Sequence, residues 1–346
     1  MTVSIIIAVK SDNPNLRQCI EACLKLDYQD FEILVLPDEK IGLSYPKTTV
    51  IPTGPLTPPQ KRDIAQDKAK GEIIAFLDDD AYPVKGWLNE ALKHFLDPEI
   101  AAVGGPSVTP DTDSLRQKAS GLVYCNWLVS GPYVYRYMPK AEQKVDDYPS
   151  CNFLVRKSVL QAVGGFDTKF WPGEDTFLCL KIAHNFKKKI VYDPDVLVYH
   201  HRRSLFAGHL KQIANYALHR GYFVKRFPEN SLKISYFLPS IFILGLAIGC
   251  FSLPFLPIIR IPYFCAVGFY LFMVFLSGLS SDFRLIHSRP QKNGRSVSIF
   301  MSHIGLIFLV FWGIIISHIV YGLYFIKGLL SRNLPEEFFG LSRKTG

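Results

Sequence analysis

Three long runs without charged residues occupy the last third of this 346-residue chain and constrain its fold more than any other feature. The runs cover residues 235–259, 261–281 and 296–326. A helix needs roughly 20 apolar residues to cross the hydrocarbon core of a bilayer, and each run is long enough. A single run could be a helix buried in a soluble domain, but three in succession predict an all-α transmembrane domain over residues 234–330. A polar tail is expected at 331–346.

The charge of the chain also indicates a membrane. The net charge of +9 could by itself indicate nucleic-acid binding. However, the basic residues gather beside the apolar runs, for example within residues 282–295. The positive-inside bias and the attraction of anionic lipid headgroups both favour such clustering. We therefore expect membrane lipids as partners and no nucleic acid.

The topology follows from the same features. No signal peptide is expected in "MTVSIIIAVK", because its apolar stretch is too short. The first domain should then face the cytoplasm, in an integral protein that we expect in the plasma membrane. Three full crossings would place the tail on the outer side, against the charge bias, so one run could instead be re-entrant.

The first part of the chain alternates between strand and helix patterns. "VSIIIAV", "FEILVLPD" and "EIIAFLDDD" predict buried strands, and "LRQCIEACLKL" and "PPQKRDIAQDKAKG" predict helices between them. This order predicts an α/β domain with a mostly parallel, Rossmann-like sheet over residues 1–203. Ligands of such sheets bind beyond the carboxyl ends of the strands, where Asp38 and the triplet Asp78–Asp80 fall.

An amphipathic helix is predicted between the two domains, within residues 204–233. Phe206, Leu210 and Ile213 fall on one of its faces, whereas His209 falls elsewhere. This pattern favours a helix in the lipid headgroup layer. A surface helix of the first domain is the alternative.

The aspartate triplet at the end of the third strand suits a metal. Alternate side chains of a strand point to opposite faces. Asp78 and Asp80 can therefore share a face, while Asp79 points away and is held by backbone or by a neighbouring base. Two such carboxylates suit Mn²⁺ or Mg²⁺, whose remaining ligands come from water and substrate phosphates. However, an acidic loop exposed to solvent would have the same sequence pattern.

Four segments along residues 3–205 appear in an order that resembles the family 2 glycosyltransferases, which are inverting enzymes with the GT-A fold. The segments are "VSIIIAV" to "VLPD", "KRDIAQDKAKGEIIAFLDDD", "SCNFLVRKSVLQAVGGFDTKFWPGED" and "IVYDPDVLVYHHRRS". The resemblance implies a GT-A catalytic domain that uses a UDP-, GDP- or dTDP-linked sugar donor. It also implies an acceptor hydroxyl, which we expect on a lipid-linked, polyprenyl-type molecule or on a glycan of the cell envelope.

The resemblance assigns roles in catalysis and metal binding. Asp175 of "GED" matches the base that deprotonates the acceptor hydroxyl, and Glu174 lies beside it. Asp80 matches the direct metal ligand. His200 or His201 stands where some GT-A enzymes supply a histidine to the metal.

Further residues are assigned to the donor. Asp38 matches the aspartate that contacts the nucleoside, and Asp78 matches the carboxylate that touches the ribose or the donor sugar. Asp79 and Arg62 are grouped with these donor-binding residues. Asp63 follows Arg62 where the family commonly has Arg-Asn, which leaves the base of the nucleotide open.

Two other functions fit the same sequence. The first is a processive polysaccharide synthase, although the motif Gln-x-x-Arg-Trp of such enzymes is absent; Gln212, Tyr216 and Arg220 lie at helical spacing instead. The second is a non-catalytic membrane scaffold with a degenerate sugar-nucleotide domain. The aspartates Asp78, Asp80 and Asp175 argue against the scaffold.

Overall fold

The structure, a computed structural model, describes residues 1–287 and 296–334, with side chains described outside 281–303. The strands are β1 Val3–Ala8, β2 Phe31–Leu36, β3 Thr48–Val50, β4 Ile73–Asp78, β5 Ala81–Pro83, β6 Ile100–Gly104, β7 Ser107–Val108, β8 Gln143–Val145, β9 Asn152–Arg156, β10 Lys189–Tyr192 and β11 Val198–His200. The helices are α1 Pro14–Cys23, α2 Pro58–Lys68, α3 Trp87–His94, α4 Leu115–Tyr124, α5 Trp127–Ser130, α6 Lys157–Ala162, α7 Glu174–Leu180, α8 Ala207–Arg226, α9 Pro228–Ser231, α10 Ile234–Ser252, α11 Arg260–His287 and α12 Ser296–Leu330. Most of the predicted basic loop and polar tail lies outside the described residues.

Eight strands form one mixed sheet in the order β3-β2-β1-β4-β9-β6-β10-β8. Strands β3, β2, β1 and β4 run parallel to one another, as the alternation of strand and helix patterns predicts. Strand β9 is antiparallel to both β4 and β6. The predicted α/β domain is therefore confirmed, with a parallel half around β1 and a mixed half beyond β4.

The apolar run of β1 is continuous because the sheet is covered on both faces. Ile5 and Ile7 pack into the layer that contains α1 and α3, whereas Ile6 packs into the opposite layer with α6 and α7. All three side chains are fully buried. This double cover fixes the register of β1 and so fixes where its neighbours end.

A small second sheet brings a distant segment to the end of β4. Its strands lie in the order β5-β11-β7, and β11 pairs with β5 so that His200 lies opposite Ala81. The backbone N–H of His201 donates to the carbonyl of Asp80 at 3.0 Å. The histidine pair is therefore held beside the aspartate triplet.

The three predicted apolar runs are confirmed as helices. The stretches Ile234–Ser252, Pro257–Ser280 and Ile304–Leu330 are each long and apolar enough to cross a membrane. They belong to α10, α11 and α12. The structure thus combines an α/β domain with three candidate membrane spans.

Helix α8 packs closely along α12, and glycines on both helices permit the approach. A Cβ on Gly221 would lie 2.1 Å from the carbonyl oxygen of Phe325, and a Cβ on Gly328 would lie 2.0 Å from that of Leu218. His209, placed off the apolar face by the helical pattern, is fully buried. Its ring nitrogens contact Ser120 Oγ and Ser317 Oγ at 2.8 and 3.0 Å. The location of α8 in the headgroup layer stays a prediction.

We expect Gly221→Ala to separate α8 from α12, because the added methyl group cannot fit against a backbone oxygen. The free energy of unfolding should fall by about 1–3 kcal/mol, and the melting temperature of the full-length protein in detergent should fall by several degrees. Gly245→Ala is the matched control, since a Cβ there meets no described atom within 4 Å. Equal melting temperatures for the two variants would contradict the close helix packing.

Candidate active site

The carboxyl ends of the parallel strands bring the predicted acidic residues to one edge of the sheet. Ala8 of β1 pairs with Asp78 of β4, and Asp38 follows the end of β2. Lys61 on α2 donates to Asp38 Oδ1 at 2.5 Å and also to the carbonyl of Val9. The lysine therefore holds Asp38 against the end of β1.

Asp78, Asp80 and His200 form a candidate metal site, with one ligand atom from each residue lying within 4.8 Å of the others. His200 Nε2 lies 3.0 Å from Asp80 Oδ1. Burial disfavours the charged imidazole, but the carboxylate of Asp80 outweighs this and raises the pKa of His200 to about 10. Two carboxylates and one imidazole are a donor set that suits Mn²⁺. The site residues therefore fit the predicted cation, which would displace the proton of His200.

The structure corrects the assignment of His201 to the metal. Its Nδ1 lies 2.5 Å from Asp113 Oδ1, and its Nε2 lies 2.9 Å from Gln18 Oε1. Both ring nitrogens are therefore occupied away from Asp78 and Asp80. Because neighbouring residues of a strand point to opposite faces, only one histidine of the pair can turn to the aspartates.

Asp79 points away from its two neighbours. Its Oδ2 accepts a hydrogen bond of 2.8 Å from Asn13 Nδ2, and Asn13 also caps α1 by accepting from the backbone N–H of Leu16. Burial, together with the charges of Asp80 and Asp78, raises the pKa of Asp79 to about 6. Asp79 thus ties the end of β4 to the start of α1.

Arg62 joins the two acidic groups of the site. Its Nη2 donates to Asp78 Oδ1 at 2.8 Å, and its Nη1 donates to Glu174 Oε1 at 3.0 Å. The Arg62 side chain is only 4% exposed. The guanidinium predicted to contact the donor therefore lies between the metal-site carboxylate and the "GED" segment.

Asp63 has a structural position. It accepts hydrogen bonds from the backbone N–H groups of Phe166 and Asp167 at 2.8 and 3.1 Å. These bonds fix the turn at Gly164 and Gly165, both of which have positive φ. Both carboxylate oxygens of Asp63 accept a hydrogen bond, whereas an asparagine side chain has one acceptor oxygen and could make one of the two bonds. This difference accounts for Asp in place of Asn.

Asp175 and Glu174 begin α7, but their surroundings differ. Burial raises the pKa of Glu174 to about 7, helped by the charge of Asp175 and opposed by Arg62. Burial, together with the charge of Asp147, also raises the pKa of Asp175. Within the described chain, the hydrogen bond shown for the Asp175 carboxylate comes from the backbone N–H of Thr176 at 2.8 Å. Glu174 is therefore committed to an ion pair, whereas Asp175 retains a free oxygen.

Sequence reasoning missed the buried carboxylate of Asp147. It accepts from Arg220 Nη2 at 2.8 Å, from Arg136 Nη2 at 3.3 Å and from Thr176 Oγ1 at 3.0 Å. Arg220 lies 73 residues away in the chain. No local pattern signals such a contact, and the segment that carries Arg136 and Asp147 has no regular periodicity.

A cavity of about 940 Å³ connects these groups with the apolar helices. Its walls include Asp78, Asp79, Asp80, Arg62, Glu174, Asp175, His200, Arg220 and, farther along, Tyr236, Phe242, Tyr270 and Tyr321. Among the described residues, Asp38 does not line it. The metal candidate, the free oxygen of Asp175 and the walls of α10, α11 and α12 thus share one space.

Comparison with known proteins agrees with this geometry. Residues 4–164 match the family described as "Glycosyl transferase family 2". This segment of the chain, a little under half of its length, is therefore similar to a family 2 glycosyltransferase domain. The structure of the mannosyltransferase PcManGT from Pyrobaculum calidifontis, in complex with GDP-Man and Mn²⁺, resembles this chain with a TM-score of 0.53 at 15% identity, covering 96% of this chain and 88% of that one. The predicted GT-A fold followed by apolar helices is confirmed.

Two curated relatives match about half of the chain. The pre-mycofactocin glycosyltransferase of Mycobacterium tuberculosis (strain H37Rv) is 28% identical over 163 residues, which are 47% of this chain and 34% of that protein. The glucosyl-dolichyl phosphate glucuronosyltransferase of Haloferax volcanii is 24% identical over 189 residues, covering 50% of this chain and 53% of that protein. The matches thus span about a third and about half of these relatives.

The placement of the two histidines predicts different effects on metal binding. We expect His200→Gln to weaken Mn²⁺ binding to the purified full-length protein by tenfold or more in calorimetric titration, because a ligand of the cation is lost. His201→Gln should leave the Mn²⁺ affinity within about twofold while lowering the melting temperature, because its contacts with Asp113 and Gln18 are structural. A greater loss of Mn²⁺ affinity in the His201 variant would restore the assignment that the structure corrects.

Proposed function

We propose that the protein is a membrane-bound inverting glycosyltransferase. It moves one sugar from a nucleotide-sugar donor to a hydroxyl of a lipid-linked or glycan acceptor. The observation that carries this proposal is the single cavity shared by the Asp78–Asp80–His200 group, the free oxygen of Asp175 and the wall of α10. Donor chemistry and a membrane-embedded acceptor could meet in that space.

Asp175 is the proposed general base. Inversion requires a base that takes the proton of the acceptor hydroxyl on the side of the sugar opposite the leaving diphosphate. One Asp175 oxygen accepts from the N–H of Thr176, which orients the carboxylate and leaves the other oxygen for the hydroxyl proton. Its raised pKa strengthens it as a base relative to an ordinary aspartate.

Asp78, Asp80 and His200 are the residues that would hold a divalent cation. The bound cation would neutralise charge on the departing diphosphate. Arg62 pairs with both Asp78 and Glu174 and so keeps the two carboxylates in place. The mannosyltransferase of similar fold was solved with GDP-Man and Mn²⁺, a donor and a cation of the classes proposed here.

The acceptor is proposed to come from the membrane. The cavity continues from Asp175 to Tyr236, Phe242 and Tyr321 on helices that could span a bilayer. One relative is named for glucosyl-dolichyl phosphate, a lipid-linked sugar. Nucleotide sugars are made in the cytoplasm, so the proposal places the catalytic domain on the cytoplasmic face of the membrane.

A donor screen tests the reaction class. Purified full-length protein with Mn²⁺ should hydrolyse or transfer from one member of a panel of UDP-, GDP- and dTDP-sugars, and removal of the metal should stop the reaction. Radiolabelled product of single-sugar length is expected, whereas long polymer would show a processive synthase instead. No turnover of any donor, with no change of cellular glycan in the Asp175→Asn strain, would show a non-catalytic scaffold.

Substitution of the base tests its role. Asp175→Asn should lower kcat for transfer by roughly 10²–10⁴-fold with little change in the KM for the donor, because proton removal is lost and donor contacts remain. Asp63→Asn is the matched control, since its side-chain oxygen can still accept from the backbone of Phe166. We expect that variant to retain kcat within about threefold.

The pH profile of the same assay tests the protonation state. A base with a raised pKa is protonated, and inactive, over a wider acidic range than free aspartate. Wild-type kcat/KM should therefore rise with pH through an apparent pKa above that of free aspartate, and this rise should be absent from the residual activity of Asp175→Asn. An unchanged rise in the variant would assign the base to another group.

A further inference from the structure

Two arginines share one carboxylate in the cavity, between Asp175 and the apolar helices. Arg220 and Arg136 both donate to Asp147 Oδ2, at 2.8 and 3.3 Å. All three residues line the cavity. Burial opposes the charge of Asp147, but Arg220 and Arg136 outweigh it and hold the pKa of Asp147 well below its usual range. Two permanent positive charges therefore face one permanent negative charge.

The positive charge that remains has unused hydrogen-bonding capacity. Arg136 Nε is buried and has no hydrogen-bond partner within the described part of the chain. Its guanidinium carbon lies 4.9 Å from the centre of the Tyr133 ring, and that of Arg220 lies 4.6 Å from the Tyr236 ring. The rings cover the planar faces of the guanidiniums, so that further polar partners must approach the N–H edges. Arg220 is more fully bonded, because its Nη1 and Nη2 also donate to Ser231 Oγ and Thr176 Oγ1. The unpartnered N–H of Arg136 therefore suits an oxygen of a phosphate.

The charges of neighbouring residues do not neutralise the excess positive charge of Arg136 and Arg220. On α8, the cavity is also lined by Lys211 and His219. Asp146, which precedes Asp147, is paired with Lys233 at 2.5 Å. Even with Asp175 ionised, the cavity-lining charges of Arg136, Arg220 and Lys211 outnumber those of Asp147 and Asp175. The surroundings of Arg136 and Arg220 are therefore electropositive.

The cavity wall changes from charged to mostly apolar next to Arg220. Its wall continues along α10 through Tyr236, Leu238, Pro239 and Phe242. Helix α10 is one of the three candidate membrane spans. A molecule that fills both parts needs an anionic group at one end and an apolar chain at the other.

We propose that Arg136 and Arg220 bind the phosphate of a lipid-linked acceptor, whose hydrocarbon chain lies along α10. This inference rests on the proposed function, since the acceptor serves the reaction at Asp175. Thr176, whose hydroxyl donates to Asp147, directly follows Asp175 in the chain, and consecutive Cα atoms lie about 3.8 Å apart. The accepting hydroxyl is therefore close to the phosphate, as in a lipid phosphate that carries a single sugar.

Binding of simple lipids by the full-length protein in detergent tests the proposal without any sugar transfer. The probes are farnesyl phosphate, farnesol and inorganic phosphate, titrated calorimetrically without Mn²⁺. We expect farnesyl phosphate to bind about tenfold or more tightly than farnesol, because a charge-assisted hydrogen bond contributes that much. Inorganic phosphate should bind much more weakly than farnesyl phosphate. Equal affinities of farnesyl phosphate and farnesol would overturn the phosphate site, and equal affinities of farnesyl phosphate and inorganic phosphate would overturn its lipid specificity.

A variant assigns the effect to the arginine pair. Arg220→Gln leaves Asp147 paired with Arg136, so no buried carboxylate loses its last cation. The preference for farnesyl phosphate over farnesol should fall to about twofold or less. Lys225→Gln is the matched control, because Lys225 lies on the same helix and its Nζ contacts the carbonyl of Ser331 at an exposed position. An unchanged preference in Arg220→Gln would overturn the assignment, and if that variant does not fold, the three wild-type titrations decide.

The donor screen separates this inference from the proposed function. If the wild type hydrolyses donors but shows no preference for farnesyl phosphate, the result supports the proposed transferase and overturns the phosphate site. If the wild type prefers farnesyl phosphate to farnesol but no donor reacts, the result supports the phosphate site and overturns the proposed transferase.

Discussion

The buried guanidinium of Arg62 holds together the two halves of the candidate active site. It contacts Asp78 at the end of β4 and Glu174 at the start of α7, two segments almost a hundred residues apart in the chain. Without it, these carboxylates would face each other in a partly dehydrated site, and an unpaired buried charge typically costs about 3–5 kcal/mol. Arg62 also lies beside the rings of Phe76 and Phe166, at 5.8 and 5.5 Å from their centres. The ion pairs therefore fix the distance between the candidate metal site and the segment of the proposed base, as well as balancing charge.

Much of the fold could be predicted because its signals are local. The continuous apolar run of β1 indicates a strand buried on both faces. Asp78 and Asp80 lie on either side of Asp79, at the two-residue spacing at which strand side chains share a face. The apolar runs report helices of membrane-spanning length in the same way. These patterns depend on neighbouring residues alone, so one sequence is enough to reveal them.

The remaining features of the site depend on tertiary contacts. The choice between His200 and His201 follows from the pairing of β11 with β5, which places His200 opposite Ala81. The place of Asp147 in the site depends on Arg136 and Arg220, and Arg220 lies on α8, which is separated from Asp147 by five strands and helices of the chain. Burial of His209 likewise follows from the packing of α12 against α8. Helical periodicity alone places this residue off the apolar face. Such pairings leave no periodic trace in the sequence.

Helix α8 touches both the membrane part of the structure and the segment that carries the base. Phe223 lies so close to Gly173 that a Cβ on the glycine would be 2.4 Å from its ring, and Gly221 on the same helix meets the backbone of α12. Gly173 immediately precedes Glu174 and Asp175. Asp175 is thereby positioned relative to α12 by two close contacts, that of Gly173 with the Phe223 ring and that of Gly221 with the α12 backbone. If α12 crosses the membrane and Asp175 is the base, as proposed, an acceptor hydroxyl would have to lie at the depth of Asp175 to react. The enzyme would then select its substrate by depth in the membrane as well as by chemistry.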